Sequence, residues 1–356
     1  MPAHLRSIAT ALPEERMPRA AWAAIANRIT PPEVDRAVLA RLADRSGIDE
    51  RGCAAAGAGA AFYPDPGAAP PPGTAERMAL WSRTARTLAA RAASDALARA
   101  RVDASRITHV ITASCTGFES PGIDAHLIET LSLPRTCRRL NVGFMGCHAA
   151  VNALAAARDA VLADPGAAAL VCCAEVSSAH FHRSSRLDQL VANTLFADGA
   201  AAAVVSADPA PADAPPAGTV LATHGVLIPD SADEMRWDVG NHGFEMTLGA
   251  CVPDILRAHV GPWVRDVLGA HGIDLADVGG WAIHPGGPRV IDAVADALQL
   301  PMAATDASRA VLKSCGNMSS ATLLAILERL AAAQTPRPWV GLAFGPGLAG
   351  ELVIVR

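Results

Sequence analysis

The sequence predicts an α/β protein built of two similar halves, and three observations predict it. Short apolar β-type runs alternate with helical patterns along the chain, as in proteins whose buried sheets are flanked by helices. The two halves carry the same landmarks in the same order, as a duplicated αβ unit would. A stretch rich in Pro and Ala, ADPAPADAPPAG at 207–218, separates them and reads as a surface linker. The expected division is a first half over 1–206, that linker, and a second half over 219–356. A chain of 356 residues exceeds the size at which one core stops growing, which agrees with two packed units.

In the first half the β-type runs are THVITAS (108–114), RRLNVG (138–143), AALVCCAEV (168–176) and AAAAVVSA (200–207). Helical periodicity marks 81–101 and VNALAAARDAVLA (151–163), and YPDPGAAPPPG (63–73) reads as an exposed loop. The second half offers TVLATHGVLI (219–228), GWAIH (280–284), WVGLAFG (339–345) and GELVIVR (350–356) as strands. Its helices are expected over 253–272 and SATLLAILERLAAA (320–333). The duplication extends to detail. Cys147 follows Cys115 by 32 residues and Asn317 follows His284 by 33, and both Cys147 and Asn317 stand after a glycine and before a helix. Each half then closes with Phe-x-x-Gly and a strand, at Phe196 and at Phe344.

A net charge of −5 and a pI near 6.1 supply no basic excess for a phosphate backbone, so nucleic acid is excluded as a partner. Eight cysteines without a CxxC pair indicate reduced thiols in the cytoplasm, with neither a disulfide framework nor a zinc site. The N-terminal run is interrupted by Arg6 and followed by two glutamates, which does not make a signal peptide. Nowhere do ~18 consecutive apolar residues suggest a membrane span.

The chemistry is expected at NVGFMGCHAAV, where a β-type run ends in glycines and Cys147 precedes a helix. Unpaired N–H groups and the positive end of the dipole at a helix start favour thiolate over thiol. If the halves pack about a pseudo-twofold axis, Cys147, His284 and Asn317 converge from corresponding strand and helix ends. That set supplies a nucleophile, an imidazole partner and a neutral hydrogen-bond donor. Cys172 and Cys173 lie in an apolar strand and read as core, and Glu175 beside them needs partners if buried. His148 follows the nucleophile, but adjacent helical residues point ~100° apart, so it is not taken as the base.

GFMGC around Cys147, HPGGP at 284–288, GNMSSAT at 316–322 and FGPG at 344–347 together resemble the chalcone synthase superfamily, the type III polyketide synthases. The resemblance runs from about residue 35 to the C-terminus. It implies a thiolase fold, two pseudo-symmetric halves forming a five-layered αβαβα core, and a homodimer. The implied reaction is decarboxylative Claisen condensation of malonyl-CoA onto an acyl-CoA starter held on Cys147, with CoA thioesters as substrates and no metal. His284 as imidazolium would stabilise the thiolate, and His284 with the Asn317 amide would stabilise the enolate oxygen.

The resemblance further places the gate at Phe196 and at Met246, where a methionine departs from the family's second aromatic. Cys115, Thr116, Ser120 and His180 fall on cavity positions, Ser120 replacing a bulkier residue that reaches across the dimer. His180 is expected to fill part of the cavity or donate to an intermediate. Arg41, Arg45, Gly286 and Gly287 fall on the CoA site, with Val38 where a third basic residue is usual. Phe344, Gly345, Pro346 and Gly347 form the cyclisation loop, with Ala343 where glycine is usual and the tight turn kept. An adaptable methionine and a small serine predict a medium or long aliphatic starter cyclised to an alkylpyrone or alkylresorcinol. The alternatives are malonyl-CoA-only naphthalene synthesis and a ketoacyl-ACP synthase III-like initiation enzyme.

Overall fold

The computed structural model describes residues 2–58, 62–65, 67–209 and 218–356, so most of the expected linker lies outside the described residues. The strands are β1 (His4–Ala11), β2 (Arg16–Pro18), β3 (Glu50–Gly52), β4 (His109–Ser114), β5 (Arg138–Gly143), β6 (Ala168–Val176) and β7 (Asp198–Ser206). They continue as β8 (Gly218–Leu227), β9 (Met235–Gly240), β10 (Gly243–Leu248), β11 (Gly280–Ile283), β12 (Trp339–Gly345) and β13 (Ala349–Val355). Nine of them form one sheet in the order β11-β12-β13-β8-β1-β7-β6-β4-β5.

That sheet contains the duplication. In the first half β1/β7 and β7/β6 are antiparallel, and β6/β4 and β4/β5 are parallel. In the second half β8/β13 and β13/β12 are antiparallel, and β12/β11 is parallel. Among the described residues no fifth strand covers β11. Within the sheet the two halves meet where β1 pairs with β8, through His4↔Thr219 and Leu5↔Gly218.

Five layers follow from which face each helix buries. The helix Thr74–Ala100 presents Leu88, Ala89, Ala92 and Ala96 to the outer face of the first half, the small alanines permitting close approach. The helices Ala149–Ala163 and Ala321–Ala332 share a central core with inward residues of both halves, including Ala201, Val171, Ala343 and Val353. Outside the second half lie the helices Val252–Ala270 and Pro288–Leu298, packed on Ile283, Leu342 and Leu352. The result is the αβαβα arrangement of the thiolase fold. Strands β6 and β7 are buried along their whole length, which explains their largely apolar sequence.

The N-terminal strand β1 is not apparent from sequence, because Arg6 and Ser7 interrupt it, yet it lies at the middle of the sheet. Arg6 is accommodated by Ala100 O at 2.9 Å, a free carbonyl at the end of the helix Thr74–Ala100. Ser7 donates to Ala96 O of the same helix at 2.7 Å. Separately, β9 and β10 form an antiparallel hairpin that lies over the mouth of the central layer. Among the described residues no helix is long and apolar enough to cross a membrane.

Candidate active site

Cys147 lies in the turn before the helix Ala149–Ala163, and Asn317 in the turn before the helix Ala321–Ala332. These are the N-terminal ends of the two central helices. Gly146 takes φ +91°, and a Cβ there would run into Pro346 Cδ, so only glycine lets the nucleophile's loop approach the 344–347 turn. Asn317 is fixed at both ends: its backbone N–H donates to Leu195 O at 3.0 Å and its carbonyl accepts from Ala197 at 2.8 Å. Its Oδ1 accepts from Ser319 N at 2.9 Å, in a turn ahead of the helix. With the oxygen occupied, the amide nitrogen is left to face Cys147, where its hydrogen bond favours the thiolate.

Cys147 Sγ lies 3.5 Å from Ser319 Oγ. His284 ends β11, tied through its backbone N–H to Leu342 O at 2.7 Å, and its ring is buried with both nitrogens unpartnered. The expected lowering of the thiol pKa by the helix start and His284 is not what the resting site has. Burial pushes Cys147 up to about 12, with Glu175 adding in the same direction and Ser319 and Asn317 opposing. Burial likewise lowers His284 to about 3, with His148 contributing. Burial is thus the largest influence on both groups, and it favours a thiol and a neutral imidazole.

Glu175 is fully buried and well satisfied. It accepts from Cys115 N at 3.0 Å, Thr116 N at 3.1 Å, Thr116 Oγ1 at 2.6 Å and Ser114 Oγ at 3.3 Å, and from the Ser320 hydroxyl of the second half. It thus ties the end of β4 to the start of the helix that follows Asn317.

A cavity of about 30 Å3 opens at Cys147, with Cys115, Thr116, Ser177 and Ser319 as its polar walls and Phe196, Trp237 and Met246 among its apolar ones. Cys115, Thr116, Phe196 and Met246 are thus where sequence expects them, and Pro346 joins them from the 344–347 turn. Gly347 takes φ +119° and keeps that turn tight, whereas Phe344 is buried in the outer core of the second half.

One cavity expectation is corrected. His180 does not line the cavity: its Nε2–H donates to Thr116 O at 2.6 Å, its Nδ1 accepts from Phe244 N at 3.0 Å, and its ring stacks on Phe244. Neither nitrogen is free for an intermediate, and burial keeps the ring neutral, its pKa lowered to about 3. Ser120 is exposed beside a cis Ser120–Pro121 bond and does not reach the cavity of its own chain. Sequence reasoning missed Trp237, whose Nε1–H donates to Cys115 O at 2.6 Å and whose ring approaches those of Phe196 and Phe244.

Beside the cavity lies a cleft of about 580 Å3 lined by Arg45, Gly286, Gly287 and Arg289 among others. Arg41 is exposed on the same helix as Arg45 but does not line it, and Arg289 was not foreseen. Leu195 and Leu248 face the cleft while their near neighbours Phe196 and Met246 face the cavity. Phe196 and Met246 therefore stand where cleft and cavity meet.

Comparison with known proteins agrees with this geometry. Residues 1–209 match the family model for the N-terminal domain of chalcone and stilbene synthases, and 220–356 match that for the C-terminal domain. The chain is 36% identical over 354 residues to a 1,3,6,8-tetrahydroxynaphthalene synthase of Streptomyces peucetius subsp. caesius, covering 98% of this chain and 92% of that one. It is 33% identical over 281 residues to the alpha-pyrone synthesis polyketide synthase-like Pks18 of Mycobacterium tuberculosis, covering 78% of this chain and 72% of the other. The crystal structure of PKS-I from the brown alga Ectocarpus siliculosus superposes with a TM-score of 0.90 at 27% identity, over 100% of this chain and 99% of that one. The chain belongs to the chalcone and stilbene synthase family and is an acyltransferase of the type III polyketide synthase kind.

Proposed function

We propose that this type III polyketide synthase uses malonyl-CoA as both starter and extender and closes the grown chain to a naphthalene-type product. One observation carries the reading: the cavity at Cys147 has a volume of about 30 Å3 and four walls bearing O–H or S–H groups. That is room for one or two waters, and the Ser177 hydroxyl, which has no partner, can donate to a keto oxygen of a poly-β-keto chain. A polymethylene chain would leave that hydroxyl unpaired. Trp237 is one wall of this small cavity, whose size argues against the medium or long aliphatic starter expected from Met246 and Ser120. The tetrahydroxynaphthalene synthase relative, matched over nearly all of this chain, supports the same choice.

In this reading Cys147 carries the growing chain, and His284 and the Asn317 amide receive the enolate oxygen formed on loss of CO2. Phe196 and Met246 gate the cleft, where Arg45 and Arg289 meet the CoA phosphates. The halves divide at 207–218, the site residues come from both, and the protein acts as a homodimer in the cytoplasm. Eight free cysteines fit a reducing compartment. The exposed edge strand β5 and the exposed Phe118 and Leu140 offer a face for the second copy.

The test is mass spectrometry of products from malonyl-CoA alone and from malonyl-CoA with acyl-CoA starters of two to twelve carbons, without an acyl carrier protein. Product from malonyl-CoA alone supports the proposal. Dependence on a starter of eight carbons or more overturns it.

A further inference from the structure

His148, next to the nucleophile, has no part in the chemistry above, yet it is held from both halves of the molecule. It is 2% exposed and precedes the helix Ala149–Ala163. Its Nδ1 lies 2.9 Å from Asn152 Oδ1, one helical turn on. Asn152 Nδ2 donates in turn to Glu351 Oε1 at 3.0 Å, on β13. Because the amide nitrogen is committed to Glu351, the amide oxygen faces the imidazole. That places the imidazole proton on Nδ1 and leaves Nε2 bare. Burial lowers the His148 pKa and keeps the ring neutral, while it raises that of the half-buried Glu351.

The far side of the ring rests on the 344–347 turn. A Cβ on Gly345 would stand 2.6 Å from His148 Cδ2 and 3.1 Å from Nε2, so the imidazole lies against the bare Cα. Pro346, the next residue, abuts Gly146 and is a wall of the cavity. His284 is close enough that charge on His148 would disfavour its protonation.

We propose that His148 is a positioning residue for the later steps of the reaction: it seats the Gly345–Pro346 turn, and Asn152 and Glu351 set its orientation from the second half. This rests on Cys147 being the acyl carrier of a polyketide synthase. Loading of Cys147 precedes any folding of the chain against Pro346, so a displaced wall leaves loading intact. What changes is the course of the grown chain. A displacement of ~1 Å at a positioning group costs on the order of 10²-fold in a well-oriented reaction.

The experiment measures acyl loading on the intact protein and, separately, the ratio of early-released lactone to full-length product, for His148→Ala, His148→Gln, Glu351→Leu and Glu351→Gln. His148→Ala and Glu351→Leu are expected to load at the wild-type rate and to raise that ratio roughly 10- to 100-fold. Glu351→Gln keeps the wild-type ratio, because an amide oxygen still accepts from Asn152, and His148→Gln recovers part of it by donating to Asn152 Oδ1. Glu351→Leu, on the other half, serves where His148→Ala does not fold. A wild-type ratio in both His148→Ala and Glu351→Leu overturns the proposal, as does a loss of loading equal to the loss of product. Failure of the underlying reading has a separate signature, since Cys147→Ala would then still load and turn over.

Discussion

Trp237→Ala tests the cavity reading most directly, because one side chain is asked to account for the choice of starter. In the wild type the ring borders a cavity of about 30 Å3, so a starter longer than a few carbons finds no apolar space and kcat/KM should be flat or falling from C4 to C8. Removing the ring opens a hollow between Phe196, Met246 and Phe244. Each CH2 that enters it contributes up to ~0.8 kcal/mol, a factor of about four in kcat/KM. Four added CH2 groups then amount to at most ~3 kcal/mol, on the order of 10²-fold between C4 and C8. The variant also loses the bond to Cys115 O, about 0.5–1.5 kcal/mol, and part of its packing. Trp237 is only half-buried, so the total should stay below the ~3–5 kcal/mol of a fully buried Trp→Ala. The assay is a starter series read by mass spectrometry, with Trp237→Phe as the control that keeps the wall and loses only the hydrogen bond. A Trp237→Ala profile identical to the wild type would refute the reasoning, as would a wild-type rate that climbs steadily through C8 and C12.

Three further outcomes are expected. Cys147→Ala should lose both the acyl adduct and the product; an adduct formed at the same rate on another cysteine would remove Cys147 from its role. Asn317→Ala should still load but decarboxylate malonyl-CoA roughly 100- to 1,000-fold more slowly, and undiminished CO2 release would contradict the donor assignment. Stability should fall on acidification. His180 and His284 keep folded pKa values of about 3 against 6.5 for the free side chain, so between those values the unfolded chain binds more protons. Their contribution is fully present above 6.5 and is lost as pH falls toward 3. Asp198, raised to about 6 by burial, acts oppositely between 3.8 and 6, as the raised Glu175 and Glu351 do in direction, while His182, lowered to about 4, adds to the histidines. The urea midpoint should be lower at pH 5 than at pH 7, and equal midpoints would show that these imidazoles are not desolvated as described.

What sequence made legible follows from burial on two faces. AALVCCAEV and WVGLAFG match β6 and β12 residue for residue, because strands covered on both sides are apolar throughout and bounded by turn residues. β1 escaped detection for the opposite reason, since its Arg6 and Ser7 are satisfied by carbonyls of a helix some ninety residues away. Strand β9 alternates charged with apolar residues and has no buried position, so nothing in MRWDVG marked Trp237 as a cavity wall. His180 was misread because its two backbone partners, Thr116 and Phe244, are distant in sequence. The glycine-flanked turns carrying Cys147 and Asn317 were legible because the backbone there permits little else: Gly146 and Gly316 both take positive φ against close neighbours.

The pseudo-symmetry also bears on how a site this dry can hold charge. Cys147 comes from the first half and His284 from the second, and burial disfavours a charge on either one alone. In the mechanism proposed above, passage of the thiol proton to the imidazole would create both charges in one step. Their mutual attraction in a low-dielectric cavity then offsets much of the desolvation that each would suffer singly. Two features prepare for that event. Both His284 nitrogens are unpartnered, so no hydrogen bond has to be broken before one accepts the proton. Ser319 and Asn317 already favour the thiolate. Glu175 opposes it, and its carboxyl group is held by five donors. In that mechanism nucleophile and proton acceptor come from separate halves, tied together by Glu175 through Ser320, so their spacing depends on how the two halves pack. Substitutions at Glu175 should therefore reduce the rate of acyl loading on Cys147 without touching any reacting atom. Glu175→Gln, which retains an acceptor but replaces the second oxygen with a donor facing Cys115 N and Thr116 N, should slow loading at saturating starter. Wild-type loading by Glu175→Gln would show that the spacing is held elsewhere.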